Sequence, residues 1–424
     1  MGVTAICGIN WGDEGKGRMV DYFAETADYV VRFQGGNNAG HTVMNQFGKF
    51  ALHLLPSGIF NKKAMNIIGN GAVVNPQALY EEIQTIEKSI GKISNLLISE
   101  RAHVIFPYHI LLDELEEERL KDKRFGSTKR GIAPVYSDKY LKTGILMSDL
   151  LNRDYLAQRI KNNLEYKNII VRSVYNKPAI DTYEMIEWGW NYGQKLKEYI
   201  ENTVIPIHEA IKKDKKILLE GQLGALRDIE FGIYPYTTSS SPIPGYAGAG
   251  AAVPPYEIKR IIGVMKAYST CVGEGPFVTE LFDETADEIR TKGHEFGAST
   301  GRARRIGWFD AVASRYGCDI TGATELALTL LDVLTGQKEL KICYGYEIEE
   351  KKITVDFPTT EKLYNAKPRY ITLPGWEEDI TTIREYNKLP LNAQKYINKI
   401  EEIINVKIKY ISVGPEREQL IKRD

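Results

Sequence analysis

The stretch Gly8-Ile9-Asn10-Trp11-Gly12-Asp13-Glu14-Gly15-Lys16-Gly17 decides the fold. The apolar run before it, residues 4–9, reads as a short strand, and Met19, Val20 and Phe23 after it recur at helical spacing. A second run, residues 29–33, ends in Gln34-Gly35-Gly36, so two strands lead into glycine-rich loops across one helix. That is the βαβ pattern of an open parallel sheet, whose ligands sit at strand carboxyl ends, and both loops are expected to face one crevice. Apolar runs at 168–174, 216–219 and 326–331 read as further buried strands. The charge-dense run 113–123 reads as a solvated helix face, and the Ser-, Pro-, Gly- and Ala-rich run 239–255 as an irregular loop that covers a site. The fold class is α/β, a mostly parallel central sheet with flanking helices.

Composition narrows the partners. The 424 residues carry 55 Lys and Arg against 56 Asp and Glu, a formal charge of −1, which argues against a nucleic-acid binder. Hydrophobic residues at 43% and charged residues at 26% place the chain in the ordinary globular class. Cysteines at 7, 271, 318 and 343 stand too far apart for a disulfide framework or a zinc site, so a reducing, cytoplasmic setting is expected. No apolar run approaches the roughly 18 residues that span a bilayer, and nothing at the N-terminus resembles an export signal.

The first loop has the makings of a phosphate cradle: glycines let backbone amides converge on oxyanions, and Lys16 adds a point charge. It departs from Walker A, because Asn10 and Gly17 stand where that pattern needs Gly and Ser or Thr. Asp13 sits inside the loop, where a carboxylate beside phosphates must either hold a cation or do chemistry. A glycine turn with a salt-bridged aspartate is the plain alternative. The second loop, Gln34-Gly35-Gly36-Asn37-Asn38-Ala39-Gly40-His41-Thr42, is entropically expensive as a mere connector, and His41 is a candidate for acid catalysis.

Together these loops resemble the adenylosuccinate synthetase family. The resemblance recurs at His53-Leu54-Leu55-Pro56-Ser57-Gly58-Ile59, Ser127-Thr128-Lys129-Arg130-Gly131-Ile132, Tyr234-Pro235-Tyr236-Thr237-Thr238-Ser239-Ser240, residues 297–308 and Gly414-Pro415. It implies a single α/β catalytic unit over residues 1–424, with a core like that of P-loop NTPases and large insertions, one of them mainly helical around 100–165, and an aspartate-binding loop around 297–305. It also implies GTP-dependent ligation of L-aspartate to IMP through 6-phosphoryl-IMP. In that chemistry Asp13 takes the purine N1 proton, His41 donates to the transferring group and Lys16 neutralises phosphate. Magnesium is held by Asp13 and the Gly40 carbonyl. GTP falls to Gly12, Glu14, Gly15, Lys16 and Gly17, then Gly40 and Thr42, then Arg304, Asp332, Ser412 and Gly414. IMP falls to Asp13, Asn38, Thr128, Leu223, Thr238 and Arg302, with Lys142 contributed by the other subunit of a homodimer. Aspartate falls to Ser299, Thr300, Arg302 and Arg304, whose guanidinium groups suit a dicarboxylate.

Four departures stand against that pattern. Leu330 replaces the lysine that reads guanine with Asp332, and Leu223 stands where a glutamine faces the reacting end of the purine, with Gln222 one residue away as a substitute. Cys271 and Leu146 replace arginines, and Ser241-Pro242-Ile243-Pro244 rewrites a loop. They motivate an alternative, a paralogous ligase of the same mechanism with altered purine, nucleotide or amino acid. A nucleotide-dependent switch is a third reading, disfavoured by the missing Walker A hydroxyl.

Overall fold

The computed structural model describes residues 2–297, 301–348 and 352–423. Ser299 and Thr300, expected to bind aspartate, lie outside the described residues. Among the described residues ten strands form one sheet in the order Leu420–Lys422, Ile408–Ser412, Glu325–Thr329, Ile258–Lys266, Val3–Gly8, Ile217–Gly224, Tyr29–Arg32, Met65–Ile68, Leu96–Ser99 and Ile200–Glu201. Every neighbouring pair is parallel except Ile408–Ser412 with Leu420–Lys422. Central strands of such a sheet are covered on both faces, and Glu325–Thr329 is buried at every position.

The first two strands do not pair with each other. Ile217–Gly224 lies between them, with Leu219 beside Ala5 on one side and Val31 on the other. The helix Lys16–Ala24 buries Met19, Val20 and Ala24 against Ile6, Val30, Leu218 and Val264, which ties the first loop to four strands. Because these strands run the same way, their carboxyl ends, and the loops that follow them, line one edge of the sheet.

Three local expectations are corrected. Residues 168–173 end the helix Arg153–Ser173 rather than form a strand. Asn152 caps that helix by accepting from the Tyr155 amide at 3.1 Å, and Leu156, Ile160, Leu164 and Val171 recur at four- and seven-residue spacing, a period hidden when only its last turns are read. The run 239–255 contains the helix Pro244–Ala251, whose small residues let it press on the sheet: a Cβ on Gly250 would come 2.1 Å from the Phe33 carbonyl oxygen. The charge run lies on the helix Pro107–Leu120 but is not simply solvated. Asp113, 6% exposed, accepts from Ser127 Oγ at 2.7 Å and the Gly131 amide at 2.9 Å, and Glu117 accepts from the amides of Phe125 and Gly126 at 3.2 Å. These acids shape the loop that carries Thr128.

Between Leu96–Ser99 and Ile200–Glu201 the chain is mainly helical, through Pro107–Leu120, Ile132–Leu141, Arg153–Ser173 and Thr182–Leu196, so the helices continue past residue 165. A smaller sheet of Phe309–Asp310, Glu339–Ile348, Lys352–Thr354 and Lys367–Pro374 packs at the other end. The four cysteines are free and buried. Among the described residues no helix is long and apolar enough to cross a membrane.

Candidate active site

The first loop is folded around Glu14. Its carboxylate accepts from the amides of Asn10 at 3.1 Å and Gly12 at 2.8 Å and from Lys16 Nζ at 2.6 Å, all buried. The Glu14 side chain thus holds the loop's shape. Gly12, Asp13 and Gly15 take φ of 108°, 59° and 91°, and the aspartate is the unusual one in the left-handed region. The turn leaves the Asp13 side chain 27% exposed, 3.2 Å from Arg304 Nε. Burial raises its pKa, but Arg304, Lys266 and Lys16 outweigh that and hold it below the ordinary carboxylate value.

The second loop closes against the first. A Cβ on Gly17 would come 2.7 Å from His41 Cβ, so only glycine lets the helix start this close to the histidine. His41, 6% exposed, has Nδ1 2.5 Å from Glu220 Oε1, while its Nε2 is buried with no partner. Glu220 is fully buried and also accepts from the Ser57 amide at 2.8 Å and Ser57 Oγ at 2.7 Å. Burial lowers the His41 pKa, against the pull of Glu220, which itself stays ionised because His41 and Arg32 offset its own burial. Nδ1–H therefore donates to the carboxylate, and Nε2 is left for a ligand.

Gln222 turns its amide nitrogen to the second loop and leaves Oε1 buried without a partner. It is fully buried, and its Nε2 donates to the carbonyls of Gly36 at 2.9 Å and Ala39 at 3.2 Å, so the amide holds the second loop. Leu223 itself, at φ 63°, passes against Gly12 at the mouth of the first loop. Asn38 Oδ1 accepts from the Gly36 amide at 3.3 Å. Gly40 is half-buried, and Thr42 is exposed on the strand that His41 begins.

Arg304 joins the first loop to a buried ionic cluster. It donates to Glu295 Oε2, and Glu295 also binds Lys266 Nζ at 2.7 Å and Tyr268 OH at 2.5 Å. Arg302 is exposed and meets Glu274 Oε1 at 3.3 Å. At the next strand ends, Leu330 turns at φ 58° and Asp332 has a buried Oδ1 without a partner, its pKa raised by burial. Ser412 Oγ donates to the Gly414 carbonyl at 3.1 Å, and Arg18 reaches both residues. Thr238 is buried and Thr128 half-buried, whereas Lys142 is exposed at the left-handed C-cap of Ile132–Leu141.

The residues that sequence reasoning missed are supports: Glu220 and Ser57 behind His41, and Glu295 and Lys266 behind Arg304. A glutamate closing an apolar run, as in Leu218-Leu219-Glu220, was the available signal, since a buried carboxylate needs partners. His41 Nε2, Asp332 Oδ1 and Gln222 Oε1 are among the buried polar atoms left without a partner, and each is free to pair with a ligand.

The chain matches the adenylosuccinate synthetase family over residues 5–421. It is 48% identical to the adenylosuccinate synthetase of Thermoanaerobacter sp. (strain X514), with 99% of each chain covered. It is 47% identical to that of Clostridioides difficile (strain 630), covering 100% of this chain and 99% of the relative. Its fold superposes on a fully ligated adenylosuccinate synthetase from Plasmodium falciparum with a TM-score of 0.94, at 36% identity and full coverage of both chains. With relatives this similar over their whole length, and with both glycine loops meeting at one sheet edge, this chain belongs to the adenylosuccinate synthetase family.

Proposed function

We propose that the chain ligates L-aspartate to IMP at the expense of GTP, through 6-phosphoryl-IMP, giving adenylosuccinate, GDP and phosphate in AMP biosynthesis. The observation that carries the reading is that the loops bearing Asp13 and His41 close on each other at the start of the helix Lys16–Ala24. Asp13, kept anionic by three cations, accepts the N1 proton of the purine and makes O6 the nucleophile. His41 meets the transferring phosphoryl group through Nε2. A polyanion beside that nitrogen favours the imidazolium, the form that donates, while Glu220 fixes the ring. Backbone amides at the helix start and Lys16 suit the phosphates of GTP, with Asp332, Ser412 and Gly414 at the guanine end. Arg302 and Arg304, with Ser299 and Thr300, receive aspartate, whose amine displaces phosphate from C6. Asn38, Thr128 and Thr238 hold the ribotide.

Magnesium suits this donor set. The Asp13 carboxylate and the Gly40 carbonyl are hard oxygens, the donor type that magnesium takes. Those two residues would hold an ion that takes the rest of its shell from phosphate and water, and it would neutralise phosphate charge. We place the enzyme in the cytoplasm, in keeping with four unpaired cysteines, as a homodimer in which Lys142 reaches the neighbouring site.

Formation of GDP and adenylosuccinate from GTP, IMP, aspartate and magnesium tests the proposal; no product at saturating substrate overturns it. A second reading keeps the mechanism and changes a substrate, favoured by Leu330 at the base and by the commitment of Gln222 to the second loop, which leaves Leu223 at the purine. A panel of triphosphates and purine ribotides decides between them, and clear preference for GTP and IMP disposes of the second.

A further inference from the structure

Arg227 ends the turn Ala225–Arg227, directly after the strand Ile217–Gly224, and is only 8% exposed. Among the described residues no carboxylate lies within ion-pair reach of it. A buried cation is costly unless its donors are satisfied, and here neutral acceptors from two segments do so. The guanidinium donates to the Tyr236 carbonyl on one side, and to Cys271 Sγ at 3.0 Å, the Val272 carbonyl at 2.6 Å and, at 3.5 Å, the Glu274 carbonyl on the other.

Both segments lead to substrate-binding residues. Tyr236 stands two positions before Thr238, whose amide donates to the Arg227 carbonyl at 2.8 Å. The loop 272–275 carries Glu274, which meets Arg302, and the carbonyls of Gly273 and Gly275, which accept from Arg305 Nη1 at 3.4 and 2.8 Å. The strand before that loop pairs Cys271 with Arg305. Position 271 is also where the family pattern has an arginine, and the short Sγ contact means that side chains from 227 and 271 reach the same space.

We propose that Arg227 is a positioning residue that couples the ribotide-holding segment 236–238 to the aspartate loop, supplying from the opposite side the guanidinium absent at position 271. It touches no substrate, and it sets the separation of the groups that do. The proposal rests on the ligase reading above.

Steady-state kinetics of the full-length protein test it, with KM measured for each substrate. Arg227→Met is expected to raise KM for IMP and for aspartate together by about 10-fold or more, with KM for GTP within about 2-fold. A merely structural role would lower the melting temperature and the active fraction and leave all three KM values alone. The double variant Arg227→Leu/Cys271→Arg is expected to bring both raised values back to within about 3-fold of wild type. If Arg227→Met does not fold, Arg227→Lys takes its place, with a smaller rise in the same two constants. Unchanged KM values in a folded variant, or a double variant no better than the single one, overturn the proposal. Wild type without adenylosuccinate formation counts against the ligase reading instead, and IMP binding by calorimetry then tests Arg227 alone, equal affinity in wild type and variant refuting it.

Discussion

At the scale of single residues, two groups carry the proposed chemistry and their neighbours set its pH range. Asp13→Asn and His41→Asn are each expected to lower phosphoryl transfer by at least about 100-fold while the melting temperature holds, as befits groups acting on protons rather than packing. A wild-type rate in either variant refutes its role. Glu220→Gln probes the support behind His41. The carboxylate raises the histidine pKa against burial, so its loss lowers that pKa further. The expected result is a kcat about 10- to 100-fold down, with the alkaline limb of the pH profile moved to lower pH. A limb that stays in place would show that the Glu220 charge does not set the titration of His41.

At the scale of elements, the helix Ala311–Thr321 supports the first loop from below. Its cap Asp310 accepts from the Ala313 amide at 3.0 Å and Tyr346 OH at 2.7 Å, and Ser314 on its first turn accepts from Asn10 Nδ2 at 2.9 Å. Burial pushes the Asp310 pKa up to about 6 from 3.8. The folded state thus holds a proton that the unfolded chain has released between those values, and this residue's contribution to stability falls as pH rises through that window. Asp310→Asn keeps an acceptor for the cap without a buried charge. Its melting temperature relative to wild type is expected to climb between about pH 4 and about pH 6 and then level off, a gain of order 1–3 kcal/mol. A difference that does not change with pH would mean that Asp310 titrates normally. The charge run on Pro107–Leu120 teaches the same lesson: Asp113 and Glu117 read as solvated because charge is a surface property on average, yet each is spent on backbone and hydroxyl donors of the 125–131 loop.

At the scale of the whole molecule, the proposed dimer predicts complementation. Mixed Lys142→Ala and Asp13→Asn subunits, each inactive alone, are expected to recover up to about a quarter of wild-type activity through hybrid dimers with one intact site. Absence of recovery after verified subunit exchange removes Lys142 from the neighbouring site. The parallel sheet and the two loops were legible in residues 4–42, because apolar strands and glycine clusters are local signals read within a few residues. Strand order was not: Ile217–Gly224 enters between the first two strands from far along the chain, by packing of faces that no short window contains. The same holds for the site. Asp13 and His41 stood out by their loops, but Glu220, Glu295 and Arg227 became meaningful only through partners such as His41, Lys266 and Tyr236, the first of them 179 residues from Glu220. Residue type and local spacing specify what chemistry a chain offers. Which buried charge meets which partner depends on where the fold removes water, and that is a property of the assembled tertiary structure.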